Sequence, residues 1–199
     1  MEITVVEATE CPVTRAGLMA GVSTQKDTNC HARGLSCLEK GHTSVFEHCN
    51  ASVVIKGISR ACANQLVRHR IAAYTQESQR YVTEQVEGDD WYVVPPSAAE
   101  NGVEEIYRAY MRQAGENYAN LLVSGMPRED ARYVLPNAAK TSIAMTLNAR
   151  SLMNLAKLRL DGHAQWEIRE MTRALVEALS DVDDEWRELC GIILGEAGL

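Results

Sequence analysis

Glycine-rich phosphate loops are missing from this chain of 199 residues: neither G-x-G-x-x-G nor G-x-x-x-x-G-K-[ST] occurs. That argues against a Rossmann enzyme and a P-loop NTPase, so side chains must hold any phosphate bound here. No G-x-S-x-G elbow surrounds Ser78, which argues against a hydrolase in which His69 activates that serine. The six cysteines form no CxxC pair. The spacings of Cys30, His31, Cys37, His42, His48 and Cys49 match no tight zinc-ligand pattern, so no metal is expected. Reduced structural thiols suit a chain of this size better than disulfides. Aromatic residues make up only 6%, with a single Phe. No apolar run approaches the roughly 18–20 residues that span a bilayer. Met1–Ala8 (MEITVVEA) lacks the basic start and long apolar run of a signal peptide. A cytoplasmic protein without a membrane partner is the expectation.

Net positive charge is lacking too. The chain carries a formal −7 at pH 7, whereas general nucleic-acid binding calls for a broad basic surface. The charge is also unevenly spread: ten acids and three arginines lie in residues 161–199, while residues 60–80 hold four arginines and one acid. A narrow basic patch favours a small anionic ligand over RNA or DNA.

What is present suits one globular domain over residues 1–199, with 46% hydrophobic and 24% charged residues and enough length to bury a core. Ile3–Val6 reads as a strand, as does ASVVIKGI (51–58), which alternates and is β-branched. Arg60–Arg70 has helical spacing through Cys62, Leu66 and His69. Residues 26–41 read as loop and short helix, and Glu87–Pro96 as loop. Val103, Ile106, Tyr107, Tyr110, Ala114, Tyr118, Leu121 and Leu122 predict a long amphipathic helix whose tyrosines pack the core. A short helix opens after Pro127 and closes at Pro136. TSIAMTL (141–147) predicts a strand, and two helices follow over 148–160 and 164–180. An acidic, solvated helix is expected over 181–189. There are no internal repeats. The fold class is α/β (α+β): one domain, a mixed β-sheet flanked by helices.

The stretch RHRIAAYTQESQRY (68–81) carries the chemistry. Arginine is always charged and its planar fork grips two phosphate oxygens at once. On a helix, Arg68 and Arg70 would point about 200° apart, which hints at two ligands. Only Glu77 is a local partner for so many cations.

Arg68-His69-Arg70, seven residues, then Ser78-Gln79-Arg80 resembles the RHR-x7-S-x-R signature of flavin-dependent thymidylate synthases. GHTSVFEH (41–48), ARYVLP (131–136) and NARSLMNLAKLRLDGHAQWEIR (148–169) resemble further family segments, in family order. Many members carry Ser three places after the RHR, where this chain has Ala73; the resemblance thus implies one lost hydroxyl contact. It also implies the family's own α/β fold and a homotetramer whose sites combine several subunits. The reaction implied converts dUMP to dTMP, with methylenetetrahydrofolate as one-carbon donor, FAD as bound cofactor and NADPH as reductant.

The same resemblance assigns residues. Gln65, Arg68, Gln76, Glu77, Ser78, Gln79, Arg80 and Arg132 fall to dUMP. Ser44, Arg68, His69, Arg70, Ile71, Gln76, Asn148, Ala149, Arg150, Asn154 and His163 fall to FAD. His42 is matched to a position near flavin and folate. Arg159 corresponds to the residue that activates the pyrimidine, and no enzyme nucleophile is implied. Read alone, Arg159 is more simply an exposed partner of Asp161, and only the family match reverses that order; His163 reads equally as a polar residue at a helix start.

Overall fold

The structure, a computed structural model, describes residues 1–81 and 86–196. In chain order it comprises β1 (Glu2–Ala8), α1 (Pro12–Val22), α2 (Cys30–Glu39), β2 (Asn50–Ser59), α3 (Arg60–Leu66), β3 (Ala73–Gln76), α4 (Pro96–Glu100), α5 (Glu104–Val123), α6 (Arg128–Ala131), β4 (Lys140–Asn148), α7 (Ala149–Arg159), α8 (Trp166–Ser180) and α9 (Asp184–Glu196), with 3-10 turns at Thr43–His48 and Arg132–Val134. The four strands form one sheet in the order β1-β2-β4-β3. The expected α/β class holds. Pairing is antiparallel, which refines the mixed sheet expected from sequence. At one end the Thr9 amide meets the Asn50 carbonyl at 2.8 Å, and the Ser52 and Thr146 hydroxyls face each other at 2.9 Å.

The strands read from alternation are found. In β2, Ala51, Val53 and Ile55 are buried, and in β4 Thr141, Ile143, Met145 and Leu147, the period of two that puts one face of a strand inward. Strand β3 was not foreseen. Its four residues are alternately exposed and half-buried, and their AYTQ sequence carries little apolar signal. The helix read over 60–70 ends at Leu66, so Arg68 sits beyond it in a turn and Arg70 in irregular chain before β3. Arg68 and Arg70 therefore do not stand about 200° apart on a helix.

By contacts the chain divides into two compact units: residues 1–55, 66–75 and 144–199, and residues 56–65 and 76–143. In the first, α8 buries Ile168, Met171, Leu175, Val176 and Leu179 on one face, each such side chain worth about 1.5–3 kcal/mol. Helices α1 and α2 approach through Gly17 and Gly34. A Cβ on Gly17 would lie 1.7 Å from the Cys30 carbonyl oxygen, and one on Gly34 2.1 Å from that of Val13.

Helix α9 corrects the expectation of a solvated acidic tail. Trp186, Leu189, Cys190 and Ile193 are buried, and its acids have partners. Cys11, which precedes α1, offers no side-chain cap. Instead its amide donates to Asp183 at 2.9 Å, and the Thr14 amide and hydroxyl donate to Glu185 at 2.7 and 2.5 Å. Two carboxylates from the far end of the chain thus occupy the positive end of that helix. The Trp186 indole completes the closure by donating to the Thr9 carbonyl at 2.8 Å.

In the second unit, Trp91, Tyr92 and Ala139 form a cluster packed by Val86, Val94, Tyr107, Met111, Ala114, Leu135 and Ala138. Tyr107 and Tyr118 of α5 do face inward as the tyrosine row suggested. Tyr110 does not, being 69% exposed: three positions on from Tyr107, it is turned about 60° around the helix axis.

Candidate active site

The first unit places the RHR segment against α7. Tyr74 of β3 lies 3.1 Å from the Leu66 carbonyl and 2.9 Å from that of His69, and its hydroxyl donates between them. This caps the frayed end of α3 and fixes the backbone that follows; burial pushes the Tyr74 hydroxyl up to about 12. Past that anchor lies a cavity of about 390 Å³, walled by Ile71, Ala72, Leu147, Leu155 and Leu158 and edged by His69, Arg70, Tyr74, Ser151, Asn154 and Lys157. Ile71 is 70% exposed, an apolar side chain left at the rim. The sequence motifs did not point to Tyr74, Ser151, Lys157 or Leu158.

His69 is half-buried, and its Nε2 accepts the Nε–H of Arg159 at 2.8 Å. Burial first, and the Arg159 charge second, hold the imidazole below its ordinary pKa of 6.5. Arg159 closes α7, and the reading of it as an Asp161 partner is answered by this bond to His69. Asp161 instead accepts the His163 amide at 2.8 Å. His163 is exposed and precedes α8 by three positions, and Gln165 caps that helix.

The remaining cofactor candidates lie along α7 and the turn before β2. The Asn148 side chain accepts the Ser151 amide at 2.8 Å as the cap of α7. Ala149 is buried, and its amide donates to the Cys49 carbonyl at 2.8 Å. Arg150 is paired with Glu47. Asn154 lies between the first cavity and a second of about 240 Å³ that is also lined by Arg150, Lys157, Met153, Leu189 and Ile193. Ser44 and His42 are exposed at the 3-10 turn over 43–48.

The second unit holds the other half of the signature. Gln65 lies on α3, half-buried, and Arg68, of the first unit, is exposed beyond that helix. Gln76 donates to the Thr141 hydroxyl at 3.4 Å. The Glu77 carboxylate accepts the Ser142 amide at 3.1 Å and its carbonyl accepts from Arg60 at 3.2 Å. Glu77 therefore fixes the end of the sheet; its carboxylate is engaged by backbone. The Ser78 hydroxyl accepts the Arg80 amide at 3.3 Å in a turn. Gln79 is 7% exposed, and its Nε2 has no hydrogen-bond partner among the described residues.

Arg80 donates from Nε to Glu129 at 2.9 Å, with both side chains about half exposed. Arg132 donates from Nε to the backbone carbonyl of the same Glu129, also at 2.9 Å. One residue of α6 thus engages two of the arginines assigned to dUMP. Its place, three before Arg132, was the sequence signal available.

Among the described residues, no group of three or more His, Cys, Asp or Glu could hold a metal ion. No described helix is long and apolar enough to cross a membrane.

A family model described as thymidylate synthase complementing protein matches residues 4–183. A flavin-dependent thymidylate synthase of Saccharolobus solfataricus is 46% identical over 144 residues, covering 71% of this chain and 54% of the relative. One from Geobacter sulfurreducens is 44% identical over 142 residues, covering 71% and 61%. The chain therefore spans between half and two thirds of the length of these relatives. Thymidylate synthase X of Helicobacter pylori, solved with FAD and dUMP, superposes with a TM-score of 0.78 at 28% identity, covering 98% of this chain and 99% of that one. With nine-tenths of its length matched by the family model and its fold shared with a solved member, the chain belongs to the flavin-dependent thymidylate synthase family.

Proposed function

We propose that the protein is itself a flavin-dependent thymidylate synthase, converting dUMP to dTMP with methylenetetrahydrofolate as one-carbon donor and NADPH as reductant. The observation that carries the reading is the RHR segment, where Arg70, Ile71 and His69 border a cavity with apolar walls and a polar, cationic edge. Such a lining fits a flat ring system with hydrogen-bonding edges and a diphosphate, so FAD suits these residues. When bound, FAD supplies the hydride that completes the methyl group. In this reading Ile71, Leu147 and Leu158 exclude water from the ring, and His69, Arg70, Ser44, Asn148, Ala149, Arg150, Asn154 and His163 hold the cofactor. His42 lies near the flavin and the folate.

Arg80 and Arg132, with the Ser78 hydroxyl, bind the dUMP phosphate; Gln65, Arg68, Gln76, Glu77 and Gln79 complete the nucleotide site. Gln79 supports this, since a buried amide without a partner costs free energy that a ligand acceptor would recover. The Arg80–Glu129 pair is exposed and worth about 0–1 kcal/mol, so a phosphate dianion displaces Glu129 readily. Arg159 faces the N3/O4 edge of the uracil. Its charge stabilises the anion formed as N3 loses its proton, which raises electron density at C5. The reading takes residues 1–199 as one catalytic domain, assembled as a cytoplasmic homotetramer in which several subunits contribute to each site.

The test is direct. Purified protein should show a flavin absorption spectrum and should release tritium from C5 of dUMP only with both NADPH and methylenetetrahydrofolate. Arg159→Ala should lower kcat by about 10²–10³-fold, the loss typical of one charge-stabilising donor. Binding of FAD and dUMP without dTMP under these conditions would refute the assignment.

A further inference from the structure

The bond between His69 and Arg159 has a direction that the chemistry fixes. A guanidinium is charged at every accessible pH and has hydrogens to give but no lone pair to accept with. Arg159 Nε, 2.8 Å from His69 Nε2, is therefore the donor. Nε2 must be bare, the imidazole neutral, and its one proton on Nδ1. A protonated imidazole would put hydrogen on both nitrogens and face N–H against N–H.

We propose that His69 is a positioning residue for Arg159: its neutral imidazole anchors the guanidinium at Nε and sets where the two terminal nitrogens point, so that protonation of His69 disengages Arg159 and stops turnover. The inference rests on the reading of Arg159 as the group that faces the pyrimidine.

The surroundings agree. Among the described residues, the cavity that His69 lines carries Arg70 and Lys157 and no carboxylate. The charged and titratable groups among the described residues that contact His69 or line its cavity include Arg159 and Lys157 from α7, the Tyr74 hydroxyl from β3, and Arg70 from its own segment. The Tyr74 hydroxyl is occupied by backbone carbonyls. A proton on His69 would thus enter a half-buried place beside the Arg159 guanidinium, with Arg70 and Lys157 lining the same cavity. The backbone is held as well, with the Tyr74 hydroxyl on the His69 carbonyl and the His69 amide on the Leu66 carbonyl at 3.1 Å. The ring therefore starts from a fixed point, which an anchor needs.

Two measurements test this. The first does not depend on activity: ¹⁵N NMR of the imidazole in the intact wild-type protein, with His69 assigned by loss of its signal in His69→Gln. The Nδ1–H tautomer is expected at pH 7, with a titration midpoint below 6.5 that moves back toward 6.5 in Arg159→Met. An Nε2–H tautomer, or a midpoint that ignores Arg159→Met, overturns the proposal. The second is the pH profile of kcat, with flavin content checked by absorbance in every sample. Glutamine keeps an acceptor oxygen but takes up no proton in this range. The wild-type acid limb should be missing in His69→Gln, whatever its plateau value, and retention of that limb overturns the proposal. A wild-type protein that makes no dTMP at all sinks the enzymatic reading instead, while the tautomer result still stands or falls by itself. Should His69→Gln not fold, Arg159→Met and the histidine shifts of the wild type decide.

Discussion

At the scale of single residues, the arginines divide by what already holds them. Arg80 and Arg132 both lean on Glu129, the first through the carboxylate and the second through the carbonyl. If Arg80 grips the dUMP phosphate, Arg80→Ala forfeits a charged hydrogen bond worth about 1.5–3 kcal/mol, raising the KM for dUMP about 10- to 100-fold with a smaller change in kcat. Glu129→Gln removes only an exposed pair, and steady-state kinetics should show the dUMP KM moving by no more than about fivefold, the equivalent of ~1 kcal/mol. A larger shift would make Glu129 part of the binding site. Histidine 69 adds a pH dependence to stability. Above pH 6.5 it is neutral in both folded and unfolded chains, and as the pH falls the unfolded chain takes the proton first, so stability declines with acid over the range below 6.5. The spacing of RHR and S-x-R was legible in sequence because spacing survives in the chain itself. Which guanidinium meets which acceptor was not, since the His69–Arg159 and Arg80–Glu129 contacts join residues 90 and 49 positions apart.

At the scale of elements, β2, β4 and α8 were legible because burial on one face leaves a period in the sequence. Strand β3 and the early end of α3 were not. The helical spacing of Cys62, Leu66 and His69 continues past Leu66, but the Tyr74 hydroxyl takes up carbonyls there and the chain turns outward. That signal lies eight residues downstream of the helix end and has no local pattern. The α1–α2 crossing gives a sharp test. Gly34→Ala would drive a methyl group into the Val13 carbonyl, and forcing the helices apart should cost at least about 2 kcal/mol, seen as a fall in Tm of about 5 °C or more. A loss under 1 °C would mean that the helices can slide past each other.

At the scale of the whole molecule, the thiols and the charges sort by depth. Burial pushes the Cys49 thiol up to about 11 and the Cys190 thiol up to about 12, and Cys62 is buried as well. Such thiols are inert toward reagents that attack through the thiolate. A disulfide-exchange reagent should therefore modify no more than three cysteines in the folded protein, Cys11, Cys30 and Cys37, and all six in denaturant. Modification of four or more without unfolding would contradict this packing. The uneven charge was visible in the sequence, but its purpose was not. The acids near 181–189 read as a solvated run, yet Asp183 and Glu185 hold the start of α1 and His31 pairs with Glu188 at 2.8 Å.

The clasp made by Asp183, Glu185 and Trp186 on residues 9–14 sets an order of events during biosynthesis. Helix α1 is translated with its Cys11 and Thr14 amides open to water, and the carboxylates that accept from them are translated more than 170 residues later. The native cap of α1 therefore forms only after α9 has been made, so this clasp is a late, long-range step in folding.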